Sequence, residues 1–280
     1  MNSKFKIDWT NVKKQIADAD SKKDYKDSRI FVPTFNPKTG ISETIIRFLP
    51  SKDTEIPYAK IWSHSFNNNG KWYIDNCHTT FKGEKCLICE YNTEHWKTDY
   101  TKKMQDDYKR KQSYFGNILV VKDPMHPENN NKVFLYRYGV KIHLKILERS
   151  NPEEGSIIEQ CNVWDWNEGL DFRLIIKKIS AGPTLKAQSN YDSSCFVDSP
   201  SAVGTEEQME KIYDQLYSIK DYYNRDNFKD ADKCIERFLA TIGNKPQTRK
   251  SEEHQPPVSE DVEEDIISDV ASVFSQIQDD

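Results

Sequence analysis

No run of apolar residues in this 280-residue sequence approaches the roughly 20 needed to cross a bilayer. The opening stretch, MNSKFKIDWT, carries charges but not the apolar core of a secretory leader. Cysteine is scarce, six residues in all, too few for a disulfide scaffold. There is no Walker loop, no G-x-S-x-G and no H-E-x-x-H. Neither a strand–helix–strand rhythm nor an internal repeat is visible. These absences argue against spanning, secreted and common hydrolytic classes, and predict a soluble, intracellular protein. Lys and Arg are also missing from everything after Lys250.

That last absence reshapes the charge balance. The formal net charge is −5, but ten acids lie in residues 251–280. The first 250 residues therefore hold 35 acids against all 40 Lys and Arg, a body of +5 joined to a tail of −10. A basic body with an acidic tail suggests a polyanion-binding surface and a segment able to compete for it. Aromatics are abundant, with 13 Phe, 14 Tyr and 6 Trp. A chain this charged yet this aromatic should fold rather than stay disordered.

Four regions can be read along the chain. Residues 1–20 form an arm in which Ile7, Trp9, Val12 and Ile16 share one side of a short helix. Short β-rich runs follow at 44–50, 58–66, 71–74, 113–123, 132–142 and 171–179, separated by turn signals such as Asn69-Gly70. Strands of this kind with turn-rich gaps predict a small β-barrel. Thr205 and Gln208 form a capping-box pattern opening a helix with Met209, Ile212, Leu216 and Ile219 on one face. A second helix carries Phe228, Ala231, Ile235, Phe238 and Leu239 and is stopped by Gly243 and Pro246. Both helices are expected to pack on the barrel. Residues 246–280 read as a linker and an acidic tail, disordered alone, whose Ile266, Val270, Phe274 and Ile277 recur at helical spacing for a partner.

Three of the six cysteines crowd into thirteen residues: Cys77, Cys86 and Cys89. Cys86-Leu-Ile-Cys89 is a C-x₂-C knuckle, which lets two thiolates reach one metal ion from a tight turn. The fourth ligand should be a nearby histidine, and His64, His78 and His95 are candidates. His78 directly follows Cys77 and would strain the backbone; spacing permits His64 and does not exclude His95. A Cys₃His set leaves no open coordination position, so the metal would be structural. Cys161, Cys195 and Cys234 read as ordinary buried or half-buried thiols.

Residues 100–115 interleave Lys102, Lys103, Lys109, Arg110 and Lys111 with Tyr100, Tyr108, Tyr114 and Phe115. A second set is Tyr136-Arg137-Tyr138 with Lys132 and Lys141. Cations neutralise phosphates while flat rings offer faces to unpaired bases. For catalysis, the nearest approach to a carboxylate cluster is Asp165, Glu168 and Asp171, whose spacing gives no sign of convergence on metal ions. A zinc-stapled interaction adaptor without a DNA role is the competing reading; it would not need the repeated ring-and-cation segments.

The motifs IIRFLPSK (45–52), NGKWYIDNC (69–77), C-x₂-C (86–89), KRKQSYFGNILVVKDP (109–124) and KVFLYRYGVK (132–141) resemble, in order, those of the single-stranded DNA-binding, helix-destabilising proteins of T-even-type bacteriophages. The resemblance runs from about residue 40 to 245. It implies an α+β protein with three parts. Residues 1–20 would be an arm for cooperative self-association. Residues 21–245 would be an OB-fold core with an inserted zinc subdomain at about 60–125. Residues 246–280 would be an acidic tail that recruits phage polymerase, helicase-loader and recombination proteins. It implies one structural zinc ion on His64, Cys77, Cys86 and Cys89. It places DNA contacts at Arg47, Lys109, Arg110, Lys111, Tyr114, Phe115, Tyr136 and Tyr191, and more loosely at Tyr100 and Tyr108. The function implied is non-catalytic coating of single-stranded DNA in replication, recombination and repair, in the cytoplasm of an infected bacterium. The arm departs from the family, offering only Ser3-Lys4-Phe5-Lys6 where relatives carry a compact basic motif, and Phe115 stands where they have Trp.

Overall fold

Asn69 and Gly70 both adopt positive φ, 49° and 87°, which is the conformation a two-residue hairpin turn between right-twisted strands demands. Only glycine and asparagine take it readily. The turn joins β2 (Tyr58–Asn68) to β3 (Lys71–Asn76). This computed structural model describes residues 27–179 and 188–243; the predicted arm and acidic tail lie outside them.

In chain order the described elements begin with β1 (Ile41–Leu49), β2 and β3, then α1 (Leu87–His95) and α2 (Lys102–Tyr108). β4 (Lys111–Lys122), β5 (Val133–Tyr138), α3 (Val140–Ser150) and β6 (Asp171–Ile179) follow. The series closes with β7 (Gln188–Asn190), β8 (Cys195–Phe196), α4 (Glu206–Asp214) and α5 (Ala231–Ile242). Eight strands form one antiparallel sheet in the order β3-β2-β4-β1-β6-β7, with β5 beside β4 and β8 beside β6. With five helices around it, the class is α+β. No helix among the described residues is long and apolar enough to cross a membrane.

β4 is the spine. Residues 111–116 pair with β2 and 117–122 with β1, so those two strands lie end to end along one edge. Residues 114–119 pair with β5 on the opposite edge. A register shift between Ile45 and Ile46 marks a bulge in β1, the usual device for bending a strand. The sheet curls enough for β5 and β6, with β4 and β1 between them, to share one core: Tyr136 and Tyr138 lie with Phe48, Phe172, Leu174, Ile142 and Ile146. The opposite face of the same strands is also covered, since Leu49, Leu119 and Val133 pack on Ile212 and Leu216. Burial on both faces is why these strands show little alternation.

The capping box at Thr205 is present, with Gln208 N–H donating to Thr205 Oγ1 and Thr205 N–H donating to Gln208 Oε1. α4 packs on the sheet as expected. α5 does not: its Phe238 lies in a separate core with Phe66, Tyr73, Cys86, Ile88 and Tyr108, against α1 and the β2–β3 hairpin. Asp75, buried on β3, holds it there through Lys229 at 2.5 Å and through Arg237. The run 132–142 also divides. Gly139 caps α3, and Ile142 and Ile146 are buried while Val140 and Leu144 are exposed. Apolar residues at every second position imitate a strand there, although only those four positions apart, Ile142 and Ile146, are buried.

Phe238 is fully buried, so Phe238→Ala should lower stability by about 3–5 kcal/mol. Leu144→Ala, on an exposed helix face, should change it by no more than about 0.5 kcal/mol. Urea denaturation monitored by tryptophan fluorescence measures both.

Candidate metal centre and nucleic-acid interface

Three consecutive pieces of structure deliver the four expected ligands to one point. β2 supplies His64; the end of β3 supplies Cys77; Cys86 is the N-cap of α1 and Cys89 lies in its first turn. Their ligand atoms all lie within 4.8 Å of one another. Cys86 Sγ and Cys89 Sγ are 3.6 and 3.5 Å from His64 Nε2, and Cys77 Sγ is 3.5 Å from Cys89 Sγ. A tetrahedral zinc ion with bonds of about 2.3 Å to sulfur and about 2.0 Å to nitrogen requires ligand separations of about 3.5–3.8 Å. The residues therefore fit such an ion, and soft thiolates with one imidazole suit zinc by chemistry as well.

The electrostatics of the cluster carry the same message. Burial pushes the His64 pKa down, but the sulfurs of Cys77 and Cys86 raise it to about 9. The sulfurs of Cys77 and Cys89 drag the Cys86 thiol far below its usual range, while Cys77 and Cys86 push Cys89 far above it. Thiols this close, with Cys77 Sγ 3.5 Å from Cys89 Sγ, compete for the same protons. One divalent cation would satisfy all four. The other histidines are engaged elsewhere: His78 Nε2 faces the Lys229 carbonyl at 2.8 Å, and His95 stacks on Tyr91 with its Nδ1 at that residue's carbonyl.

Beside this centre the basic run begins. The Arg110 guanidinium lies 4.3 Å from the centre of the Trp62 ring, and Lys60 Nζ lies 5.6 Å from it. An open groove of about 740 Å³ adjoins Cys89, with Trp96, Lys97, Lys109 and Arg110 on its wall. Past Trp62 the same sheet face continues into Gln112, Tyr114 and Tyr58, backed by His143, which stacks on Tyr114 at 3.7 Å.

Strand alternation divides the sequence-predicted DNA residues between two faces. Tyr114, Tyr136 and Tyr138 point into the first core and are about 4% exposed or less. Phe115, Arg137 and Lys111 point the other way: Phe115 stacks on Tyr222 at 4.1 Å, and Arg137 lies over Phe115 and donates to Ser113 Oγ. Lys111 Nζ donates to the Ser65 carbonyl, and Lys109 is exposed beside Asp106. Tyr100 and Tyr108 sit edge to face in the second core, and Tyr100 donates to Asn92 Oδ1. Tyr191 is half-buried against the first core. Arg47 is 1% exposed, because Asp171 stands directly across from it on β6 and takes its Nε at 2.9 Å, while Ser201 takes Nη2. Of the acids weighed for catalysis, Asp165 accepts from the N–H groups of Asn167 and Glu168 in a turn, and Asp171 holds Arg47. Trp62, Lys60 and His143 were missed by sequence reasoning; Lys60, Trp62 and His64 at every second position of one strand were the available signal.

A family model described as "gp32 DNA binding protein like" matches residues 40–242. The chain belongs to the gp32-like family. Among curated relatives, the single-stranded DNA-binding protein of Enterobacteria phage T2 is 35% identical over 211 residues, covering 73% of this chain and 67% of the relative. That of Enterobacteria phage T4 is 34% identical over the same length and coverage. A shorter match, to the single-stranded DNA-binding protein of Enterobacteria phage RB70, is 40% identical over 78 residues, 27% of this chain and 67% of the relative.

Metal analysis of this gp32-like chain should find one zinc ion per chain, and cobalt should replace it with a tetrahedral thiolate spectrum. Cys86→Ser should lose stoichiometric metal and lower the unfolding temperature. A second prediction concerns His143, which burial and the nearby Lys60 charge bring down to about 3. Between about pH 6.5 and 3 the unfolded chain therefore holds a proton that the folded one lacks, so stability falls as pH falls through that window. The slope is at most about 1.4 kcal/mol per pH unit. Comparing denaturation of wild type and His143→Gln across pH 4–7 should show the slope diminished in the variant.

Proposed function

We propose that this chain is a non-catalytic protein that coats single-stranded DNA without sequence preference. The observation that carries the reading is the strip in which Lys60 and Arg110 flank the Trp62 ring beside the metal centre, and the names of the gp32-like relatives support it. Lys60, Lys97, Lys109 and Arg110 neutralise phosphates along the strip, and the Trp62 face stacks a base. Each stacked base contributes about 1–3 kcal/mol whatever its identity. Duplex DNA hides those faces, so the protein binds the open strand and lowers duplex stability by mass action.

In this reading the curled sheet is the family's OB-fold core, within residues 21–245, and the Cys₃His site holds a structural zinc. Residues 1–20 mediate cooperative self-association. The −10 tail competes with DNA for the basic strip and docks replication and recombination partners in the cytoplasm of the infected cell. The buried Arg47, Tyr108, Tyr136 and Tyr138 shape the surface from beneath. Lys111, Phe115 and Arg137 form its reverse side.

The test is a fluorescence titration with poly(dT) at several salt concentrations, using the full chain and a version lacking residues 251–280. Tryptophan emission should be quenched. With at least three phosphates neutralised, the log–log salt slope should be about −2 or steeper. The shortened version should bind more tightly at low salt. A folded, metal-loaded protein that neither binds nor quenches would overturn the reading and favour the adaptor.

A further inference from the structure

Two hydrogen-bonded paths lead from the metal ligands to the basic run, and they leave from different ligands. His64 Nδ1 faces the Tyr108 carbonyl at 3.1 Å, and Asn92 Nδ2 donates to the same oxygen at 2.9 Å. The residue preceding Lys109 is thus held from two sides. On the other path, Cys77 Sγ lies 3.1 Å from Thr79 Oγ1, and that hydroxyl accepts a 2.8 Å bond from Arg110 Nη1. The direction of this chain follows from valence. A hydroxyl has one proton and two lone pairs, and a guanidinium only donates. Thr79 must therefore accept from Arg110, which leaves its own proton for the sulfur. A metal-bound cysteine is a thiolate, so it can only accept. The neighbouring turn is tied to Trp62 as well, whose N–H donates to Thr80 Oγ1 at 3.0 Å and whose carbonyl accepts from Cys77 N–H at 2.8 Å.

We infer that Thr79 is a positioning residue for nucleic-acid binding: its hydroxyl links the metal-bound Cys77 thiolate to Arg110 and holds the guanidinium over Trp62. The inference rests on the single-stranded DNA-binding reading above. An arginine free to rotate loses side-chain entropy when it docks on a phosphate. One tethered at a single N–H and held 4.3 Å from the centre of an indole ring has lost most of that freedom already, and its other donors remain for the ligand. The thiolate charge polarises the Thr79 O–H and strengthens its acceptance from Arg110. Conversely, a phosphate drawing on Arg110 weakens that bond and alters the hydrogen bond received by the sulfur, a partner that tunes the metal site.

The test compares wild type with Thr79→Val, Thr79→Ser, Arg110→Ala and the Thr79→Val/Arg110→Ala double variant, each a full chain loaded with one zinc ion and titrated with poly(dT). Thr79→Val should keep its metal and bind about tenfold more weakly, the scale of one charge-assisted contact. Thr79→Ser should bind like wild type, and the double variant should be no weaker than Arg110→Ala, because the hydroxyl acts only through the arginine. In the cobalt-substituted protein, poly(dT) should shift the sulfur-to-metal charge-transfer band of wild type and of Thr79→Ser, but not of Thr79→Val. Wild-type affinity in Thr79→Val, or losses that add in the double variant, overturns the inference. If Thr79→Val sheds its metal, the cobalt band of Arg110→Ala decides. It must differ from wild type without DNA and stay still when poly(dT) is added, and an unchanged band is the overturning result. Failure of wild type to bind poly(dT) would instead sink the DNA-binding reading itself.

Discussion

Everything around the basic strip depends on four ligand atoms meeting at one point. His64, Cys77, Cys86 and Cys89 come from β2, the end of β3 and the first turn of α1, and they converge over a core of few residues, chiefly Phe66, Tyr73, Ile88, Tyr108 and Phe238. A core that small supplies little stability beyond the entropy it must overcome. A structural zinc ion contributes an apparent binding free energy of about 10–16 kcal/mol, comparable with the whole stability of a domain. Coordination of such an ion by these four residues would thus rival apolar burial in holding this module together. Its reach extends past the ligands, because the outer nitrogen of His64 faces the carbonyl that precedes Lys109.

The second constraint is the period of two in β4. This strand carries β1 and β2 on one edge and β5 on the other, so each residue in it is committed to one of two faces, both largely buried. Tyr114 and Phe115 are adjacent in sequence, yet one stacks on His143 inside the first core and the other on Tyr222 across the sheet. A register slip of one residue would exchange them. The pairing of Arg47 with Asp171 across β1 and β6 works in the same way. It converts a cation that looks surface-seeking into a buried crosspiece, packed so closely against Gly169 that a Cβ there would lie 2.7 Å from its Nη1.

What the sequence disclosed was local. The Asn-Gly turn, the capping box, the Gly243 stop and the C-x₂-C knuckle each satisfy a chemical need within a few residues, and each stands where its local pattern puts it. What stayed hidden was long-range. Nothing near Phe238 announces that α5 crosses to the metal module, because the decisive contact, Asp75 with Lys229 and Arg237, spans more than 150 residues. α3 was concealed by its own composition, since Val140, Ile142, Leu144 and Ile146 alternate like a strand. The choice among three histidines also lay beyond spacing. It turns on the engagements of His78 with Lys229 and His95 with Tyr91.

Burial also divides labour among the rings. Most aromatics that looked like stacking platforms are floor: Tyr114, Tyr136 and Tyr138 pack on one another and on Phe48 and His143. A ring with both faces covered offers nothing to a base, but it does keep the strand above it from deforming. Trp62 differs, being half-buried and flanked by two cations. Binding by such a surface draws its strength first from phosphates and only secondarily from stacking. That balance makes it tolerant of base sequence and steeply sensitive to salt.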